Sequence, residues 1–81
     1  MTIHVQFFAS LRDVAGHRKT VQSLESGASV ADLLSLLYAS HPGLEGWDGS
    51  IRVAVGYEYV ERTRKLADGD LVSIFPPVQG G

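Results

Sequence analysis

The sequence predicts an α+β fold, a two-layer roll in which one main helix packs on a mixed sheet of about four to five strands. Three observations carry this. Apolar and polar residues alternate over 2–9, 51–55 and 71–75, the period of a strand with one buried face. Between Val30 and Leu37 the period changes to that of a helix with one apolar stripe. The resulting order is strand, strand, helix, strand, short strand, strand. A hairpin followed by a crossover helix allows the first and last strands to pair in parallel at the centre.

In the first strand, Ile3, Val5 and Phe7 take one face, and parity leaves Phe8 on the other. Ser10 to Gly16 reads as a short helical turn, with Ser10 as N-cap and Gly16 in a left-handed C-terminal position. The segment 17–24 is expected to return as a second strand, ended by Gly27. Ser29 and Asp32 form the capping signature of the main helix. Val30, Leu33, Leu34 and Leu37 supply its buried stripe, Leu36 and Tyr38 broaden it, and Pro42-Gly43 stops it. Leu44 to Ser50 reads as a loop with a turn at Asp48-Gly49. Within it Trp47 either folds back as a lid on the core or lines a ligand site. A third strand follows at 51–55, then a bend at Gly56 and a short strand over 57–60. Asp68-Gly69-Asp70 marks a turn into the last strand, Leu71 to Phe75, with Val72 and Ile74 inward and Ser73 and Phe75 outward.

Composition narrows the function. Eighty-one residues make one domain, divided here into a body, 1–75, and an extended segment, 76–81. The net charge of −2 argues against a nucleic-acid surface, because Arg62, Arg64 and Lys65 read as a solvated turn rather than a basic stripe. Without cysteine there is no disulfide, thiolate nucleophile or cysteine-ligated metal. His4, His17 and His41 are too far apart in sequence to form a metal motif. No apolar run reaches the length of a membrane span and no leader is evident, so no membrane is expected and the cytoplasm is the default compartment. Phosphate-binding loops and nucleophile elbows are absent, and a chain this small leaves little room for a deep pocket.

What stands out is Phe75-Pro76-Pro77-Val78-Gln79-Gly80-Gly81. Two prolines hold an extended exit, and the six residues from Pro76 reach roughly 20 Å when straight. Gly80 and Gly81 carry no side chain, so a terminal carboxylate there could pass a narrow channel. By itself Gly-Gly is also an ordinary frayed end. A carboxylate needs a better leaving group before it can acylate or accept sulfur, so an ATP-using partner is implied.

Together with Val5 to Arg12, Ser29 to Leu34 and Leu66 to Asp70, this ending resembles the small, sulfur-carrying subunit family of molybdopterin synthase, over the whole chain. The resemblance implies a ubiquitin-like β-grasp fold. It also implies a cycle in which a ubiquitin-activator-like adenylyltransferase uses ATP on Gly81, and a sulfur donor protein then converts the adenylate to a thiocarboxylate. The synthase large subunit would receive the sulfur and pass it to a cyclic pterin monophosphate, building the dithiolene. The chain would act as a sulfur-donating, non-catalytic subunit with no permanently bound cofactor and no metal. Gly81 would carry the sulfur, Gly80 would give clearance, and Phe8, Tyr59, Phe75, Pro76, Pro77 and Val78 would bind the partner. Gly56 stands where the family often has asparagine. Three other functions stay open: a thiamine-thiazole sulfur carrier, a ubiquitin-like modifier conjugated through Gly81, and an interaction module with an inert tail.

Overall fold

The computed structural model describes residues 1–77. Its strands are β1 (Thr2–Phe7), β2 (Lys19–Ser23), β3 (Arg52–Val55), β4 (Glu58–Tyr59) and β5 (Leu71–Phe75). Its helices are α1 (Ser10–Ala15) and α2 (Val30–Ser40), with a 3₁₀ segment over Pro42–Ser50. The five strands form one mixed sheet in the order β2-β1-β5-β3-β4. β1 and β5 are the parallel central pair, with Val5 opposite Val72 and Phe7 opposite Ile74. β2 lies antiparallel to β1, and β3 lies antiparallel to β5. With α2 laid over one face, this is the β-grasp roll.

The helix forms where both short-range signals agree. Ser29 Oγ accepts from Asp32 N at 3.3 Å, and the Asp32 carboxylate accepts from Ser29 N at 2.8 Å, a complete capping box. Leu33 and Leu37 on its inner stripe and Ile3, Val72 and Ile74 on the sheet are all fully buried. That double layer of branched aliphatic side chains supplies most of the apolar burial that holds the fold.

Some expectations need correction. β1 stops at Phe7, and Ala9 adopts φ 51 where alternation had suggested a strand to residue 9. Ser10 is the first helical residue rather than the cap; Ala9 occupies the cap position and makes no side-chain bond. Phe8 and Ala9 instead accept backbone bonds from Leu11 and Arg12, so the turn closes through the main chain. Leu44 to Ser50 is 3₁₀ helix, not loop, anchored by buried Leu44 and by Trp47 packed on the core as a lid. Gly16 takes the expected left-handed position at φ 86.

Candidate functional site

The sheet face opposite α2 gathers three aromatic residues, Phe8, Tyr59 and Phe75. Strand parity sends Gln6, Leu71, Ser73 and Phe75 away from the helix, and the register sets Ala54 beside Ser73 and Arg52 beside Phe75. Phe8 lies just past β1, but its N–H still donates to Ile74 O at 3.1 Å, which carries its ring over β5. The Phe8 and Phe75 rings stack with centroids 4.6 Å apart and planes 17° apart. Tyr59, paired with Ala54 on β4, tilts against Phe75 at 5.7 Å. The three aromatics therefore form one cluster.

A concavity of about 300 Å³ opens between these rings, floored by Gln6, Ala54, Leu71 and Ser73. Ser73 faces away from the helix as expected, yet it is only 6% exposed because the aromatic wall covers it. Tyr59 by contrast is 63% exposed. Arg52 places its guanidinium carbon 5.0 Å from the Tyr59 ring centre, holding a cation on the aromatic face. The face thus offers aromatic area with a polar rim, the composition of an association surface.

Pro76 and Pro77 leave directly from this cluster and are partly buried. Val78, Gly80 and Gly81, the other predicted site residues, lie outside the described residues. Asp68 and Asp70 are turn residues: Asp68 accepts from Thr2 N at 2.7 Å and Asp70 from Ala67 N at 2.8 Å.

Two arrangements escape sequence reasoning. Asp48, read as a turn residue, accepts from the Tyr38 hydroxyl and from Arg62 Nη1, both at 2.6 Å. Arg62 also donates to the Asp48 carbonyl, so it is a clasp between the 3₁₀ segment and the β4–β5 connection rather than part of a solvated turn. Burial, and then the bond to Asp48, push the Tyr38 hydroxyl up to about 12. The Tyr38 hydroxyl and then Arg62 hold the Asp48 carboxyl below its usual range. His17 and His41, 24 residues apart, meet with their Nε2 atoms 2.8 Å apart over the Phe7 ring. His41 Nδ1 lies 3.3 Å from Leu37 O; an N–H there donates to the carbonyl and leaves Nε2 to accept from His17. Among the described residues no group of three or more potential metal ligands assembles, and no helix is long and apolar enough to cross a membrane.

Comparison with known proteins matches residues 5–81 to the ThiS family. The molybdopterin synthase sulfur carrier subunit of Chlamydomonas reinhardtii is 41% identical, with 100% of both chains covered. Small archaeal modifier protein 3 of Haloferax volcanii is 37% identical, again with 100% of both covered. In three dimensions the chain is similar to the crystal structure of SAMP1 from Haloferax volcanii, with a TM-score of 0.88, 35% identity and 100% of each chain covered.

Proposed function

Because the chain belongs to the ThiS family, we propose that it is the sulfur carrier subunit of a molybdopterin synthase, with the Gly81 carboxylate as the reacting group. The observation that carries this is the Phe8–Phe75–Tyr59 cluster at the foot of the Pro76-Pro77 exit. A partner gripping that cluster would sit where Pro76 and Pro77 leave the sheet. The 41% identity to a molybdopterin synthase sulfur carrier subunit supports the pathway.

The chemistry has two stages outside the partner's site. The Gly81 carboxylate oxygen attacks the α-phosphorus of ATP on an adenylyltransferase, forming an acyl adenylate and releasing pyrophosphate. A sulfur nucleophile at the sulfide level, delivered by a sulfur donor protein, then attacks the acyl carbon. The acyl–oxygen bond breaks, AMP leaves, and a thiocarboxylate remains. Inside the synthase large subunit that sulfur is transferred to a cyclic pterin monophosphate. This chain supplies the docking surface, the reach and the acyl carbon, while its partners supply the catalytic groups.

A second function has support of its own: small archaeal modifier protein 3 is 37% identical over the full chain, so conjugation of Gly81 to a lysine amine is the alternative fate of the same adenylate. One experiment separates them. The chain is incubated with activating enzyme, ATP and a sulfide source, with and without cell proteins, and intact masses are measured. Exchange of one oxygen for sulfur at Gly81 is expected. An unchanged mass, where a control carrier is converted, sinks the carrier function, and isopeptide-linked adducts without thiocarboxylate favour the modifier.

A further inference from the structure

The charges of this protein are sorted by face. Of its seven Lys and Arg residues, Arg62 and Arg64 pair with Asp48 and Glu58, and Lys65 sits close enough to Asp32 to help hold that carboxyl below its usual range. Arg12, Arg18, Lys19 and Arg52 remain, all exposed and without an ion-pair partner among the described residues. These four border the aromatic cluster. Arg12, Arg18 and Lys19 line a groove of about 230 Å³ that shares Phe8 and Gln6 with it. Arg52 stands on the other side, over Tyr59 and beside Phe75.

Carboxylates are sparse around them: Glu61 shares a concavity with Arg52 and Tyr59 but forms no ion pair with Arg52. Glu58 is the only acidic residue in any strand, and its register with Val55 puts it on the helix side. None of the concavities that lie against Gln6 is lined by Asp or Glu. A chain with net charge −2 thus presents a face whose charged strand residues, Lys19 and Arg52, are both positive. Placing four unpaired cations around an apolar patch that only Glu61 approaches attracts one sign of partner and repels its own kind.

We infer that the partner covering the aromatic cluster presents an apolar socket rimmed with carboxylates, and that Arg52 and the Arg18–Lys19 pair select and steer it. This rests on the docking role proposed above. The Arg52 guanidinium, already ordered on Tyr59, can take a partner carboxylate in a two-pronged bond at little further entropic cost. Arg18 and Lys19, on the opposite side of Phe8, fix which way round the partner sits. Two copies of this chain do not satisfy each other here, because like charges would meet.

The test measures association with the molybdopterin synthase large subunit of the same organism by stopped flow, from low to high salt. The variants are Arg52→Glu combined with Arg18→Glu and Lys19→Glu, Lys65→Glu as an off-face control, and Phe75→Ala. Thermal unfolding verifies that each is folded. The triple variant is expected to associate about tenfold more slowly at low ionic strength, with the difference closing as salt rises, while Lys65→Glu stays within about twofold of wild type. Arg52→Lys in place of Arg52→Glu should recover the rate but not the slow dissociation. Equal rates for triple variant and wild type overturn the inference, as does an equal loss in Lys65→Glu. If Phe75→Ala weakens binding while the charge reversals are silent, the docking surface stands and the steering ring falls. If wild type does not bind the subunit at all, both fall. Tighter binding of wild type to a single-stranded oligonucleotide, lost in the triple variant, assigns the basic residues to nucleic acid and overturns the acidic socket.

Discussion

Gly56 shows how one backbone angle explains a choice of residue. It turns from β3 into β4 at φ 63, and a Cβ built there meets nothing within 4 Å. Space is not the constraint; handedness is. Asparagine is among the few other residues that tolerate this region. Gly56→Asn should therefore cost less than about 0.5 kcal/mol and Gly56→Val about 1–2 kcal/mol, read from urea midpoints. At Tyr38 the prediction concerns pH. Its folded-state value, about 12, lies above the ordinary 10.0, so its contribution is complete below pH 10 and is lost as pH rises toward 12. Asp48 is shifted the other way. Its contribution is present above the ordinary carboxylate range and is lost as pH falls through the lower folded value. Tyr38→Phe should flatten the alkaline limb of a urea-midpoint profile and weaken the acid limb. A profile with an unchanged alkaline limb would show that Tyr38 does not titrate as the clasp requires.

At the scale of elements, the parts legible in the sequence are those specified by near neighbours. α2 was readable because Ser29, Asp32 and the leucine stripe all lie within eleven residues and agree. Ser29→Ala removes one acceptor of the capping box and should cost about 1 kcal/mol without changing the fold, measurable as a lowered urea midpoint with an unchanged slope. The 3₁₀ segment was not readable. Pro42, three glycines at 43, 46 and 49, and Asp48 have loop composition, and what winds them is distant: the buried pocket for Leu44 and the bonds from Tyr38 and Arg62 to Asp48. The same division runs through the site. Phe8 and Phe75 were placed on one face by parity, but Tyr59 meets Phe75 through β4, whose two residues carry too little pattern to fix a register. The His17–His41 contact needs the ends of two helices to converge, and nothing within either segment signals it. Ser10 misled because its residue type suits a cap while the chain closes the turn one residue earlier, on Ala9.

Across the whole molecule, the buried core and the proposed reacting group fall in different stretches. Among the described residues the last buried hydrophobic residue of the core is Ile74, and Phe75, Pro76 and Pro77 beyond it are only partly buried. The aromatic cluster sits at the junction, resting on the body yet facing away from its core. If Gly81 carries the acyl carbon that is adenylated, deleting it should leave the thermal midpoint within about 1 °C, since the buried core among the described residues ends at Ile74. Affinity for the large subunit should change by less than about 1 kcal/mol, because the anchoring aromatics and their cationic rim remain. Thiocarboxylate formation should vanish entirely, because the chain would then end at Gly80, one residue short of the adenylating site, and positional errors of even an ångström suppress such reactions strongly. Calorimetry, binding and intact mass thus report three separate properties of one variant. A deletion that lowered the midpoint by several degrees would show the last residue to be part of the folded body. Retained conversion to thiocarboxylate would show that the activating site does not measure the tail to its final atom.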